Sequence, residues 1–473
     1  MSELNQLQQI AYDKITHSHN VFLTGEAGTG KSYVLQQAMK QFDKWGLNYY
    51  VTAPTGIAAL NVNGITLHRF LQISPKDNLL QSPDIEKQEH INKLFDRDHR
   101  IVIIDEISMC SSALFNYLIT ALHRAEKAND IKIQIILVGD FSQLPPVVRK
   151  HSIEEKLMKE QLGGLFAFQT SAWQKLHLET ITLTDIIRQN ESDFKTALNQ
   201  IRNGNPEGIK YINEHANKNF IKDGITLCGT NQTAQKINHE RIAEVNGKTY
   251  TFNSTIHGRF TQSNRPTYDT LELKIGARVM TIVNGTDPDG NNFVNGSMGT
   301  ITKIHLPLKS KLKHDFKAPY AHKNGEEKTQ PQIFIELDNG TEIQISWHTW
   351  NVYKYINDGQ GIHKELTGSF TQLPIKLAYA ITIHKSQGQT YDHVNFDPQI
   401  FEDGQCYVGL SRVRTIEGLH LIKPLTEDMI HSSNHVTDFY KKNQVNQEKL
   451  VKEYVQEKSQ QYQVEEELPE LPF

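Results

Sequence analysis

Cysteine is scarce in this chain: three among 473 residues, Cys110, Cys228 and Cys406. They stand far apart, with no C-x-x-C pair and no zinc-ligand spacing, which excludes a disulfide framework and a zinc module. Such usage fits a reducing cytosol. Long apolar runs are missing as well. No stretch of eighteen apolar residues occurs, so neither a membrane-spanning helix nor a membrane partner is expected. Positive charge is not in excess either: the formal net charge is −4 and the sequence pI is 6.6. The overall field therefore does not draw in nucleic acid, and any such contact has to come from a local groove. At this length two to four domains can each bury a core. A mean hydropathy of −0.51 puts polar loops around them.

What the chain does have is Gly25-Glu26-Ala27-Gly28-Thr29-Gly30-Lys31-Ser32, directly after the apolar run Val21-Phe22-Leu23. It reads G-x-x-x-x-G-K-S. Glycines let the backbone curl so that successive N–H groups point inward around a polyphosphate. A helix over 33–42 begins just behind and turns its positive end toward the same phosphates. In this pattern Lys31 reaches the β- and γ-phosphates and the Ser32 hydroxyl ligates Mg²⁺. Gly25, Ala27, Gly28, Thr29 and Gly30 hold the rest of an ATP polyphosphate. A glycine-rich turn with a chance lysine is the bland alternative; the strand before and the helix after argue against it. A loop starting at residue 25 leaves no room ahead for a signal or transit peptide, so a cytoplasmic location is expected. Upstream, Leu4 to Ile15 has helical spacing, and Gln8 can offer an amide to an adenine edge.

Further along, the strand Tyr49–Ala53 ends in Pro54-Thr55-Gly56, followed by an alanine-rich helix. Hydroxyl and backbone donors at such a turn suit a nucleic-acid phosphate or sugar, which makes Pro54 and Thr55 candidates. Thr66 and His68, in the polar–aromatic patch 66–70, are candidates of the same kind. Residues 71–99 are polar and charged and leave the core as an excursion. Then Ile101-Val102-Ile103-Ile104 supplies a β-branched strand of the doubly covered parallel type, ending in Asp105-Glu106. Carboxylates at the carboxyl end of such a strand lie beside the phosphate loop. There Asp105 holds Mg²⁺ through water and Glu106 polarises the attacking water. The strand Ile133–Val138 ends in Gly139-Asp140-Phe141-Ser142-Gln143, where Gln143 is a candidate γ-phosphate sensor.

By this point the residues form a series. GEAGTGKS, TAPTGIAAL, IVIIDEISM and LVGDFSQLPP resemble successive motifs of the Pif/RecD-type superfamily 1B DNA helicases. Leu183–Gln189, Val294–Gly299, Tyr379–Thr390 and Cys406–Arg414 extend the resemblance, in order, from about residue 4 to 422. The Pif branch fits best, through DEISM and VGLSRVR. One stretch departs: between DEISM and LVGD the branch carries glycines where this chain has Asn129-Asp130-Ile131-Lys132.

The resemblance implies an α/β protein of two tandem RecA-like P-loop domains with ATP bound between them. The first core would be 1–70 plus 100–175, with 71–99 as a wedge-like insertion. The second would be 176–293 plus 374–424, with a small β-barrel inserted at 294–373, where Asn-Gly pairs signal hairpins. Arg188 and Arg412 would face the γ-phosphate, with Arg414 structural. Thr230 and Asn231, in a turn that mirrors Pro54-Thr55, would grip DNA. Thr382, His384, Lys385 and Gln387, on a strand-to-helix turn, would grip phosphate or base. Lys309–His314 is a basic loop, read as solvated surface or as a DNA contact. The implied activity is ATP- and Mg²⁺-dependent 5′→3′ movement on single-stranded and tailed duplex DNA, by a monomer, in replication, recombination or repair. A nucleoid-associated location goes with it. A translocase that strips proteins without unwinding, or an ATP-gated recruitment scaffold, are the alternatives. From 425 the chain is helical and then an acidic tail. Glu465–Phe473 resembles the acidic tip of bacterial single-stranded-DNA-binding proteins and would dock on partners that read such tips; a merely solvating tail is the alternative.

Overall fold

Short runs of β-branched and aromatic residues build the first layer. In the computed structural model Val21–Gly25 (β1), Asn48–Ala53 (β2), Ile65–Thr66 (β3), His99–Ile104 (β4), Gln134–Val138 (β5) and Glu179–Leu183 (β6) form one sheet. Its order is β3-β2-β4-β5-β1-β6 and every pairing is parallel. All residues of β1 and β5 are buried, as a strand covered on both faces requires. Described are residues 4–73, 77–96, 99–148, 151–185, 191–222, 224–262, 265–293, 295–306, 315–317, 331–357, 362–430, 433–443 and 450–456. The chain divides into two compact units, one of 1–54, 62–187 and 433–473, the other of 55–61 and 188–432. Among the described residues no helix is long and apolar enough to cross a membrane.

In the first unit, helices Gln6–Thr16 (α1) and Lys31–Lys44 (α2) cover the sheet. Ile10, Ile15, Val34 and Phe42 pack into one core with Val21, Leu23, Ile103 and Val138. Three boundaries differ from the sequence reading. The first core does not end at 175: β6 pairs with β1 along its length, Val21 opposite Glu179 through Gly25 opposite Leu183. A strand after a short helix can join either core, and only its hydrogen-bond partner decides. Second, the chain from 433 onward returns to the first unit. Phe439, on the helix Asn434–Lys442, stacks on Phe168 with ring centroids 4.3 Å apart and also meets Phe22 and Phe141. Third, much of 71–99 is docked. The helix Ile85–Leu94 buries Ile91 and Leu94, and Gln88 Nε2 donates to the Ala121 carbonyl of the helix Ser112–Asn129.

The second unit has its own parallel sheet, in the order Ala380–Thr382, Ile225–Cys228 (β7), Val394–Phe396, Leu419–Leu421. Beside it lie antiparallel strands. Glu342–Ile345, Gln332–Leu337, Met298–His305, Arg278–Thr281 and Ile375–Leu377 make one sheet. Asn339-Gly340 closes a hairpin there as expected, with Gly340 at φ +81°. The strand-rich segment starts earlier than residue 294, however. Tyr250–Asn253, Thr255–Gly258, Thr270–Leu273 and Arg278–Thr281 pair among themselves and with later strands, not with β7. Their apolar side chains, Phe252, Leu271 and Val279, share a core with Ile333 and Ile335. Pairings across a hundred residues leave no local mark in sequence.

Candidate nucleotide site and nucleic-acid contacts

β1 delivers the phosphate loop. Gly25 passes so close to β6 that an added Cβ would lie 2.4 Å from the Leu183 carbonyl oxygen. Gly28 and Gly30 take φ of +84° and +89°, a left-handed backbone that curls the loop at the head of α2. Inside it Thr29 Oγ1 donates to Glu26 O at 2.9 Å. Lys31 Nζ donates to Gly25 O (2.8 Å) and Glu26 O (2.9 Å), so the cation sits within the cradle that it would share with phosphate. Ser32 is exposed on the first turn of α2, and Ala27 is buried beneath. Gln8 has a bracing role here. Its Oε1 accepts from Asn5 N at 3.1 Å and its Nε2 donates to Thr29 O at 3.2 Å. Both ends of that amide are thus turned onto the chain's own backbone, and contact with adenine would require exchanging those bonds.

Asp105 and Glu106 stand at the carboxyl end of β4. The Asp105 N–H extends the ladder to Thr52 O at 2.9 Å, and its carboxylate accepts from Glu106 N at 2.9 Å. Burial pushes the Asp105 carboxyl up to about 6, against the smaller opposing pull of that N–H and of the Lys31 charge. Glu106 holds a left-handed backbone, φ +52°, a strained conformation of the kind that gathers at functional sites. At the end of β5, Gln143 N donates to Asp140 O (2.9 Å) and Gln143 Nε2 lies 3.5 Å from Asp140 Oδ2. Loop, carboxylates and glutamine therefore share the carboxyl edge of one parallel sheet, where open α/β sheets bind ligands.

A residue that sequence reasoning missed completes this edge. Tyr440 OH lies 3.0 Å from Thr24 Oγ1 in β1 and donates to Asp140 Oδ1 at 3.0 Å. It also accepts from Phe141 N at 3.0 Å. No local signal marks Tyr440, which lies 299 to 416 residues past its partners. Tyr440→Phe removes an acceptor from Phe141 N–H and a donor from the buried Asp140. A loss of about 1–2 kcal/mol is expected, read as a lower urea midpoint with unchanged slope.

The nucleic-acid candidates divide between the units. In the first, Pro54 ends β2 and is buried, Thr66 Oγ1 caps a short helix by accepting from Arg69 N (3.3 Å), and His68 is exposed. In the second, Thr55 Oγ1 accepts from Ala58 N at 3.3 Å. Thr230 caps the helix Asn231–Glu244, with Asn231 exposed at its head. Thr382 caps the turn Ile383–Ser386, and Gln387 is buried behind it. His384 Nε2 meets Glu402 Oε2 at 3.0 Å. Lys385 Nζ lies 6.0 Å from the centre of the Tyr268 ring, and burial lowers its pKa. Lys376, which sequence reasoning passed over, is pushed down to about 7 by burial and by the Lys385 charge.

Arg412 is 1% exposed. Its Nε donates to Val408 O (2.7 Å) and its Nη2 to Ser411 Oγ (2.9 Å). Arg414 pairs with Asp392 at 2.8 Å. Arg188, Lys309–His314 and Glu465–Phe473 lie outside the described residues.

With this geometry in place, a sequence model described as PIF1-like helicase matches residues 3–210. An ATP-dependent DNA helicase Pif1 from Bdellovibrio bacteriovorus is 31% identical, across 89% of this chain and 88% of its own length. The chain belongs to the PIF1-like helicase family. Its relative from a Psychrobacter species, named in the same words, is 32% identical across 88% of this chain and 67% of its own. Among solved structures, Bacteroides Pif1 in complex with ADP-AlF4 superposes with a TM-score of 0.75, at 30% identity over 94% of this chain and 98% of that one. Bacteroides Pif1 bound to single-stranded DNA gives 0.61, at 31% identity over 93% and 97%. Within this PIF1-like chain, the departing stretch after DEISM is a helix end. Asp130 takes φ +50° and its N–H caps Glu126 O, which stops Ser112–Asn129 without a glycine.

Proposed function

We propose that the chain is an ATP-dependent DNA helicase that moves 5′→3′ along single-stranded DNA and opens a tailed duplex. One observation carries the reading: the phosphate loop, Asp105, Glu106 and Gln143 converge on the carboxyl ends of β1, β4 and β5. Gly25–Ser32 binds the ATP polyphosphate, with Lys31 leaving its two carbonyls for phosphate oxygens. The Ser32 hydroxyl and the Asp105 carboxylate are hard oxygen donors of the kind that suits Mg²⁺, which when bound neutralises phosphate charge. Glu106 polarises the attacking water and Gln143 senses the γ-phosphate. Arg188 and Arg412 are assigned to the charge that develops on the transferring phosphoryl group.

The two parallel sheets are read as tandem RecA-like cores, the antiparallel strands as a barrel inserted in the second, and 71–99 as the wedge. The turns at Pro54-Thr55, Thr66–His68, Thr230-Asn231 and Thr382–Gln387 hold the sugar-phosphate backbone, which makes binding sequence-tolerant and salt-sensitive. The reading is of a monomer in a cytoplasmic, nucleoid-associated setting, serving replication, recombination or repair. Unwinding of matched 5′-tailed and 3′-tailed duplexes tests it. Strand separation on the 5′-tailed substrate alone is expected, at least tenfold above the other. Preference for the 3′ tail would reverse the polarity, and ATP turnover with neither duplex opened would leave a translocase.

A further inference from the structure

The opposite edge of the first unit's sheet carries a cavity of about 910 Å³, a volume in the range of ligand-binding sites. Its floor is apolar: Ile119, Leu122 and Ile133 are each at most 8% exposed. Its rim is cationic. Arg100, Lys127, Lys132 and Lys175 line it and are all exposed. Among the described residues none of these four has a carboxylate partner. The one rim carboxylate, Glu126, is already engaged by Ile133 N at 2.9 Å and by His123. Arg124, also on the rim, donates to the Pro83 carbonyl; with it, five cations gathered over an apolar floor call for a ligand that is both anionic and greasy. A nucleic-acid backbone matches the rim and leaves the floor empty.

We propose that this cavity binds the chain's own segment Glu465–Phe473. That segment sets Glu465, Glu466, Glu467 and Glu470 among Leu468, Leu471 and Phe473, the complement of rim and floor. Reach favours the same chain. The last described helical residues pack on α1, where Leu450 and Tyr454 join its core and the Tyr454 hydroxyl bonds to Asp13. From Asp13, α1 runs to Thr16, and Ser18 and Asn20 then form the cavity wall. Asp13 to Thr16 is about 5 Å at helical rise, and Ser18 lies two residues further on, at most about 7 Å more. Residues 457–464 can span up to about 26 Å, roughly twice that path.

Zero-length carbodiimide coupling of the full chain, read by mass spectrometry, tests the proposal. Links from Glu465–Glu470 to Lys127, Lys132 or Lys175 are expected at least fivefold above links to Lys156, an exposed lysine of the same unit. The double variant Leu471→Ser with Phe473→Ser keeps every carboxylate and should cut the cavity links at least fivefold; unchanged links would reduce the contact to charge alone and overturn the proposal. A mixture of ¹⁵N-labelled and unlabelled protein should give links within one copy, and links only between copies would overturn it. So would an absence of tail links combined with protection of these lysines from acetylation by duplex DNA, which would make the rim a nucleic-acid surface.

Discussion

Lys31→Ala is expected to lower ATP hydrolysis by about 10³-fold while leaving single-stranded DNA affinity within about twofold. The size follows from what the ammonium does at the site. A single donor aimed at developing charge is worth 10²–10³ in rate, and here the donor carries a full charge. The fold should survive, because the side chain is only half-buried and bonds to two backbone carbonyls of its own loop. Measuring poly(dT)-stimulated phosphate release beside fluorescence anisotropy on a labelled oligonucleotide separates the two. Equal loss of both would point to a folding defect and remove Lys31 from the chemistry.

Asp105→Asn should make the protein more stable as it makes it inactive. The Asp105 carboxyl is pushed up to about 6 from an ordinary 3.8 by burial. The folded state therefore holds this proton more tightly than the unfolded chain does. Relative to the neutral form the carboxyl costs nothing below about pH 4, the cost grows as pH rises from about 4 to 6, and above 6 it is constant at roughly 3 kcal/mol. Asparagine has no charge to desolvate, and its amide oxygen can still accept from Glu106 N–H. At pH 7.5 the variant should unfold at higher urea by up to that amount, with the gap closing below pH 4. ATPase should drop at least 10²-fold, since the carboxylate offered to a divalent cation is gone. A gap that widens toward acid would contradict the assignment of burial as the cause.

Much of the candidate nucleotide site is legible in the sequence. The loop Gly25–Ser32, the pair Asp105-Glu106 and Gln143 each sit at the end of an apolar strand, and a strand end followed by glycine or acid is a local pattern. The strands themselves were visible because doubly covered strands are unbroken β-branched runs. What stayed hidden was every feature that joins distant segments: β6 completing the first sheet, Tyr440 bonding to Thr24 and Asp140, and the helix Ile85–Leu94 docked within 71–99. Gln8 shows the same limit from the other side. Its place upstream of the loop was readable, but its bonds to Asn5 and Thr29 came from the fold.

Local chemistry by itself determined that this chain handles a nucleoside triphosphate, because glycine spacing, one lysine and one serine suffice to shape a phosphate cradle. Only the tertiary structure decided which strands flank that cradle, how far burial lifts the Asp105 carboxyl, and that five cations surround an apolar cavity on the sheet's far edge. Those properties depend on neighbours brought together through space, and desolvation and hydrogen bonding act on such neighbours whatever their separation along the chain.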